Sequence, residues 1–301
     1  MTDASSIGSL PAETRLGRAA IRVAGLDETI AFYRDVVGLT ALDRDDETAV
    51  LGVAAGSADA GRDAVPLLVL EHDPDLPERG RDEAGLFHTA FRVPSRAALG
   101  EALARVRDRW RLDGASDHRV SEALYLTDPE GNGVEIYRDR PREEWPVAED
   151  GTVTMTTDPL DLEAVAAAAA SAADSGDRVP PGTDLGHVHL EVTSLSAFEA
   201  VYVDGLGFAL GMTGPNVRFV AAGGYHHHLG ANTWRGRTTP AAGRGLAWFE
   251  VVVPDAAALA AVRERLAAVA SDGAVDVRVN ERADGIEVAD ADGISVRVRT
   301  P

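Results

Sequence analysis

The sequence predicts an α+β fold in which four βαβββ units form two cupped, mixed sheets. Internal repetition is the first observation behind this. The segment from Leu16 returns from Leu185 at a constant offset of 169, placing Leu16, Gly17, Leu26, Tyr33 and Gly38 on Leu185, Gly186, Leu195, Tyr202 and Gly207. A second segment, from Gly85, returns from Gly245 at an offset of 160, with Leu86, Val93, Pro94 and Leu99 falling on Leu246, Val253, Pro254 and Leu259. The third observation is the order of patterns within each copy. An alternating strand comes first, then an amphipathic helix, then two or three further strands.

Taken in order, unit one runs from about residue 16 to 72, with Asp27 as the expected N-cap of a helix through Val37. Unit two spans 85 to 140, its helix starting near Ser95 and its last strands meeting in Ser121 to Asp139. There the turn formers Asp128-Pro129-Glu130-Gly131-Asn132-Gly133 separate two short apolar runs, which reads as two strands and a tight turn. Glu135 lies inside the second run, on the face opposite Val134 and Ile136, so its carboxylate points either to solvent or into a lined interior. Unit three covers 185 to 234 and unit four 245 to 299. The expected organisation is a tail at 1–15, a first pair of units at 16–140, a linker with one peripheral helix at 141–184, and a second pair at 185–301.

Composition narrows the function classes. The formal net charge is −20, and all 29 basic residues are Arg. Such a surface repels polyanions, so neither nucleic acid nor an anionic membrane is an expected partner. An acidic, Lys-free chain suits concentrated salt, although a GC-rich genome writes the same composition. Cysteine is absent, which removes disulfides and thiolates and leaves His, Asp and Glu as metal ligands. The N-terminus lacks the basic start and apolar run of a signal peptide, and no apolar run is long enough to span a bilayer. A cytoplasmic location is expected, with a homo-oligomer left open.

Four βαβββ units, the phrase FYRDVVGL and the phrase DPEGNGVEIY resemble the vicinal oxygen chelate superfamily, which includes glyoxalases, bleomycin-resistance proteins and extradiol dioxygenases. The phrases SDHRVSEALYLTDPEGNGVEIYRDRPREEW and GGYHHHLGANTW are similar to its catechol-2,3-dioxygenase-like branch. The resemblance covers nearly the whole chain, from about Leu16 to Arg299. In that superfamily metal ligands come from the first and last strands of a unit. Carried over, the first-strand slots hold Arg18, His88, His187 and Trp248, and the last-strand slots hold a residue near Val69, then Glu135, then one of His226 to His228, then Arg297. Units one and four thus offer no ligand. Units two and three offer His88, Glu135, His187 and His228, which converge only if those two units share a cup.

Two imidazoles and one carboxylate leave open positions on a metal, the arrangement of non-haem Fe(II) oxygenases. Fe(II), or alternatively Mn(II), is the cofactor this implies, with a small aromatic diol and O2 as partners. The branch also carries a Tyr ten residues before the ligand Glu and a His further upstream. Tyr125 and His118 match, and the resemblance makes Tyr125 a hydrogen-bond partner of the substrate and His118 an acid–base. Taken singly, each residue also has a plain reading: His88 as a core histidine, Tyr125 as a strand aromatic, His118 as a loop partner of Asp117. Three functional readings remain. They are an extradiol ring-cleaving dioxygenase, a glyoxalase-type lyase, isomerase or thiol transferase on the same cup, and a non-enzymatic sequestering protein.

Overall fold

The structure, a computed structural model, describes residues 9–55, 63–170 and 176–301; residues 1–8 of the expected N-terminal tail lie outside the described residues. Each repeat folds as its pattern requires. Unit one consists of β1 (Arg15–Val23), α1 (Leu26–Phe32), β2 (Thr40–Arg44), β3 (Thr48–Val53) and β4 (Val65–His72). Unit two consists of β5 (Gly85–Arg92), α2 (Arg96–Arg109), β6 (Gly114–Asp117), β7 (Ser121–Thr127) and β8 (Gly133–Asp139). The linker carries a two-residue strand β9 (Asp158–Pro159) and α3 (Leu162–Ala170), which lies against α2. Unit three is β10 (Asp184–Glu191), α4 (Leu195–Glu199), β11 (Ala209–Gly214), β12 (Val217–Ala221) and β13 (Leu229–Asn232). Unit four is β14 (Gly245–Val252), α5 (Ala256–Asp272), β15 (Arg278–Arg282), β16 (Gly285–Ala289) and β17 (Ser295–Arg299).

Two mixed sheets result, and they pair units that are not neighbours in sequence. One has the order β15-β16-β17-β14-β1-β4-β3-β2, the other β11-β12-β13-β10-β5-β8-β7-β6-β9. Antiparallel pairs of first strands, β1 with β14 and β5 with β10, stitch the halves of each sheet together. Units two and three therefore share one cup and units one and four the other. Each sheet draws one unit from residues 16–140 and one from 185–301.

The helix layer follows the opposite rule. α1 and α4 each run on into a π-helical turn, Tyr33–Val37 and Ala200–Gly205. Gly38 just after the first turn has φ 95°, and Gly207 after the second has φ 94°, which explains why the repeat keeps glycine at both. Arg105 of α2 donates to the Val37 carbonyl at 2.9 Å, and Arg265 of α5 to the Leu206 carbonyl at 2.6 Å. These guanidiniums satisfy carbonyls that the turns leave open. Helices thus pack unit one on two and three on four while the sheets exchange partners. At the helix starts, Ser95 caps α2, its Oγ accepting from Ala98 N at 3.2 Å. Asp27 is not a cap: α1 begins at Leu26, and Asp27 lies in its first turn.

Candidate metal centre and substrate cavity

The register of the second sheet sets up the site. Ala90 on β5 is opposite His187 on β10 and opposite Glu135 on β8, and Glu135 in turn is opposite Tyr125 on β7. A single cross-strand row therefore runs His187, Ala90, Glu135, Tyr125. His88, two residues from Ala90, shares its face. The small side chain of Ala90 leaves room at the centre of the row. Gly133 keeps β8 close to β5, since a Cβ there would meet the Phe87 carbonyl oxygen at 2.1 Å.

Three donor atoms converge at this point. His88 Nε2 and His187 Nε2 stand 3.1 Å apart, and Glu135 Oε2 lies 3.2 Å from the first and 3.3 Å from the second. All three residues are buried, and among the described residues they are the group of three whose ligand atoms could hold one metal ion. Ligands bound about 2.1 Å from one ion at right angles stand roughly 3 Å apart, so the spacing and the N2O donor set fit a divalent transition metal. Burial first, then the neighbouring His189, hold His88 well below the usual imidazole range. A neutral ring is the form that offers a lone pair to a metal. His187 Nδ1 is buried without a hydrogen-bond partner, and Nε2 is the nitrogen of that ring that meets the cluster.

Tyr125 and His118 form the adjoining wall. The Tyr125 hydroxyl lies 2.6 Å from His118 Nε2, and His118 Nδ1 lies 2.6 Å from the Thr156 carbonyl oxygen. A carbonyl only accepts, so Nδ1 carries the proton and Nε2 accepts from the tyrosine. Burial, followed by the Glu135 charge, raises the Tyr125 phenol well above its ordinary range.

The fourth expected ligand is corrected by the geometry. His228 is not brought to the cluster; its Nδ1 accepts from Ala222 N at 3.2 Å, and its ring packs against Phe208 and Tyr225. The reason is the chain before β13, where Gly223 and Gly224 turn through φ 61° and 65° and strand alternation does not hold. His227 instead faces the site, its ring centroid 4.2 Å from that of His187. It is braced from behind, with His227 Nδ1 at 2.7 Å from His226 Nδ1 and His226 Nε2 at 2.9 Å from Asp139 Oδ1. His189, which alternates with His187, also reaches the cavity; burial and then His187 pull it down to about 3, and its Nε2 accepts from Asn232.

A cavity of about 400 Å³ opens above this floor. Its apolar lining draws on Phe87, Phe219, Trp234, Met212 and Val217, together with Met155 of the linker, with the rings of His189 and His227 among them. The linker's part was not readable in advance. Met155 N donates to Met212 Sδ at 3.4 Å, and β9 extends the sheet beyond β6.

The corresponding positions of the other cup are filled. Arg18 donates to Glu250 Oε1 at 2.6 Å, Arg299 reaches Glu250 Oε2 at 3.3 Å, and the Arg297 guanidinium lies 3.8 Å from the centroid of the Trp248 ring. Trp248 Nε1 donates to Glu71 Oε1 at 2.9 Å. Arginine and tryptophan close this cup with ion pairs and stacking where its partner gathers metal-binding groups.

Sheet order, cup and donor set together define a class, and comparison with known proteins agrees. Residues 15–136 match the model of the Glyoxalase/Bleomycin resistance protein/Dioxygenase superfamily. The chain is 39% identical over 266 residues to the catechol-2,3-dioxygenase of Bacillus subtilis (strain 168), covering 86% of this chain and 89% of the relative. It belongs to this superfamily. Among solved structures, a putative dioxygenase from Bacillus subtilis shares the fold with a TM-score of 0.61 at 13% identity, over 95% of this chain and 84% of that one. Glyoxalase I from Zea mays does so with a TM-score of 0.57 at 17% identity, over 96% and 92%. Among the described residues no helix is long and apolar enough to cross a membrane.

Proposed function

We propose that this chain is a metal-dependent extradiol ring-cleaving dioxygenase acting on a catechol-like diol with O2. The observation that carries the reading is the convergence of His88, Glu135 and His187 at the floor of a cavity walled by Tyr125 and His118. Two histidines and one carboxylate are the donor set of non-haem Fe(II) oxygenases, so Fe(II), or Mn(II) in its place, is the ion proposed for them. Bound there, the ion supplies Lewis acidity to the diol oxygens and the redox capacity that lets O2 react with the ring. Overall, the ring bond beside the diol breaks and both atoms of O2 enter the product, so no external reductant is consumed.

The chain's own residues manage position and protons. Tyr125, opposite Glu135 in the cavity lining, would hydrogen-bond a diol oxygen held at the metal. His118, with Nδ1–H held by Thr156, keeps Nε2 open to accept a proton passed through that tyrosine. The apolar residues of the lining would limit the water around a bound ring. His227, beside His187 and facing the cavity, is a further polar contact for a bound molecule. A glyoxalase-type reaction with a second carboxylate is less well served, because among the described lining residues Glu135 is the one carboxylate. The relative's name, catechol-2,3-dioxygenase, supports the same choice.

Metal analysis after anaerobic reconstitution with Fe(II) tests this. Near-stoichiometric iron is expected in the wild type and loss of at least nine-tenths of it in both His88→Ala and His187→Ala, while His228→Ala retains it. Catechol under O2 then yields a yellow ring-opened product. Iron that persists in both variants would sink the site. A wild type that binds no divalent ion would put the sequestering reading in front.

A further inference from the structure

A second cavity, of about 450 Å³, is lined from both sheets and shares no described lining residue with the metal cavity. One side comes from β1 and the start of β4, through Arg15, Arg18, Val65 and Leu67, and from Arg299 at the end of β17. The end of β5, the start of β10 and the turn before β13 supply the other, through Arg92, Gly186, Tyr225 and His228. Arg15 and Arg299 both stand opposite Val252 of β14, so register brings their side chains to one face.

Four guanidiniums on one cavity stand out in a chain of net charge −20. Arg18 and Arg299 share the single carboxylate of Glu250, and Arg92 is held by Asp184 and Asp139. Arg15 forms no ion pair among the described residues; its Nη1 donates to the Leu16 carbonyl at 3.2 Å. Four positive charges thus meet three negative ones. The side chains of Arg18, Arg92 and Arg299 remain 34%, 34% and 24% exposed, while Glu250 is closed off at 2%. Asp184 is spent on Arg92, which donates to both of its oxygens. His228 adds a neutral donor. Its Nδ1 accepts from Ala222 N, so Nε2 carries the ring proton, and no described residue accepts it. Burial first, then His226 and Arg92, pull this imidazole down to about 3 and keep it uncharged.

We infer that this cavity binds a small organic anion, an oxyanion head on an apolar body. Arg15, Arg299 and the His228 Nε2–H receive the head, for which planar guanidiniums offer paired donors. Leu16, Val65, Pro66 and Leu185 take the body, and Val65 is 47% exposed without it. The volume lies within the range of small-molecule sites. Elsewhere the acidic surface repels such a ligand. The site stands apart from the metal centre and does not depend on the reaction there.

Calorimetry on Fe(II)-loaded protein at low salt compares benzoate, phenyl phosphate and the neutral benzamide. At least one of the anions should bind once per chain and about tenfold or more tighter than benzamide, its affinity falling as sodium chloride is added. The tighter of the two identifies the head group as carboxylate or phosphate. Arg15→Gln should weaken that anion about fivefold or more and leave benzamide unchanged. His228→Asn keeps an acceptor for Ala222 N, loses the Nε2 donor and should act in the same direction. Where one of these variants fails to fold, the other decides. His88→Ala, in the metal centre, should hold anion affinity within about twofold, which separates this cavity from binding at the iron. Anion binding lost in His88→Ala but kept in Arg15→Gln and His228→Asn would place the ligand in the metal cup and overturn the inference. Benzamide binding as tightly as the anions, or no binding of any probe, would overturn it as well.

Discussion

Asp290 and Asp128 occupy matching turns, and their side chains show how the repeat is used at the scale of single residues. Asp128 Oδ1 accepts from Glu130 N and Asn132 N, and Asp290 Oδ1 from Asp292 N and Ile294 N. Each second oxygen accepts from a buried tyrosine of a π-helical turn, Tyr33 at 3.1 Å and Tyr202 at 2.9 Å. Burial pushes Asp290 up to about 7 and Asp128 up to about 6. A carboxyl raised in the folded state binds more protons there than when unfolded, so stability falls as pH rises. For Asp290 the fall runs from its ordinary 3.8 to about 7 and is complete above that. Asp290→Asn should remove this component, and urea unfolding at pH 5 and pH 8 checks it. The wild type should lose a few kcal/mol between the two, each tenfold in proton affinity being about 1.4 kcal/mol, and the variant measurably less. A variant as pH-sensitive as the wild type would refute the assignment. Legibility at this scale was uneven. His88, Glu135 and His187 were readable because the repeat offers ligand types in matching slots of only two units. His227 was not, because the Gly223–Gly224 turn erases the alternation that would say which histidine of three points inward.

Elements add what single residues do not show. The linker was expected to carry one peripheral helix, and its helix α3 packs against α2. The stretch before α3 takes part in the cavity. Met155 and Thr156 line the cavity, and the Thr156 carbonyl sets the tautomer of His118. Asp158 holds this stretch, accepting from Thr156 Oγ1 at 2.9 Å and from Arg119 at 2.7 Å. Because β9 is only two residues long, it leaves no hydrophobic period to detect. Asp158→Ala should therefore lower kcat by about threefold to tenfold through loss of positioning, while iron content stays at the wild-type level. Steady-state kinetics beside metal analysis decides it: a loss of iron would place Asp158 in the folding of the cup instead. The π-helical turns were equally hidden, since a single widened turn alters no apolar spacing, although the glycines that end them stood out in the repeat.

Across the whole molecule, two similar cups have opposite contents. One gathers imidazoles and a carboxylate around a cavity, and the other is closed by Arg18, Arg299 and Glu250 and by Arg297 on Trp248. Glu250 is 1% exposed and sits between two arginines that hold it below its ordinary range against the upward effect of burial. Removing one partner of a buried ion pair costs about 3–5 kcal/mol, and partial exposure of the arginines reduces the expectation to about 1–3 kcal/mol. Glu250→Ala should lose that much in urea unfolding without changing iron content or turnover. Equal loss of activity and stability would show that the closed cup is not purely structural. The pairing of units was readable only through the metal slots, for no local pattern distinguishes a sheet made of units one and two from one made of two and three.

The exchange of strands has a consequence for how the chain reaches its folded state. Arg18 on the first strand meets Glu250, 232 positions further along, so a growing chain exposes an unpaired β1 edge until nearly all of it has been made. Such distant pairings fold slowly, and an edge kept waiting is an invitation to the wrong neighbour. The same geometry makes the two halves complementary pieces rather than separate bodies. Coexpressed as two polypeptides divided near residue 150, they should clasp into one assembly with both sheets complete. Each half expressed alone should be found in aggregates, and a half that stays monomeric and folded on a sizing column would contradict this.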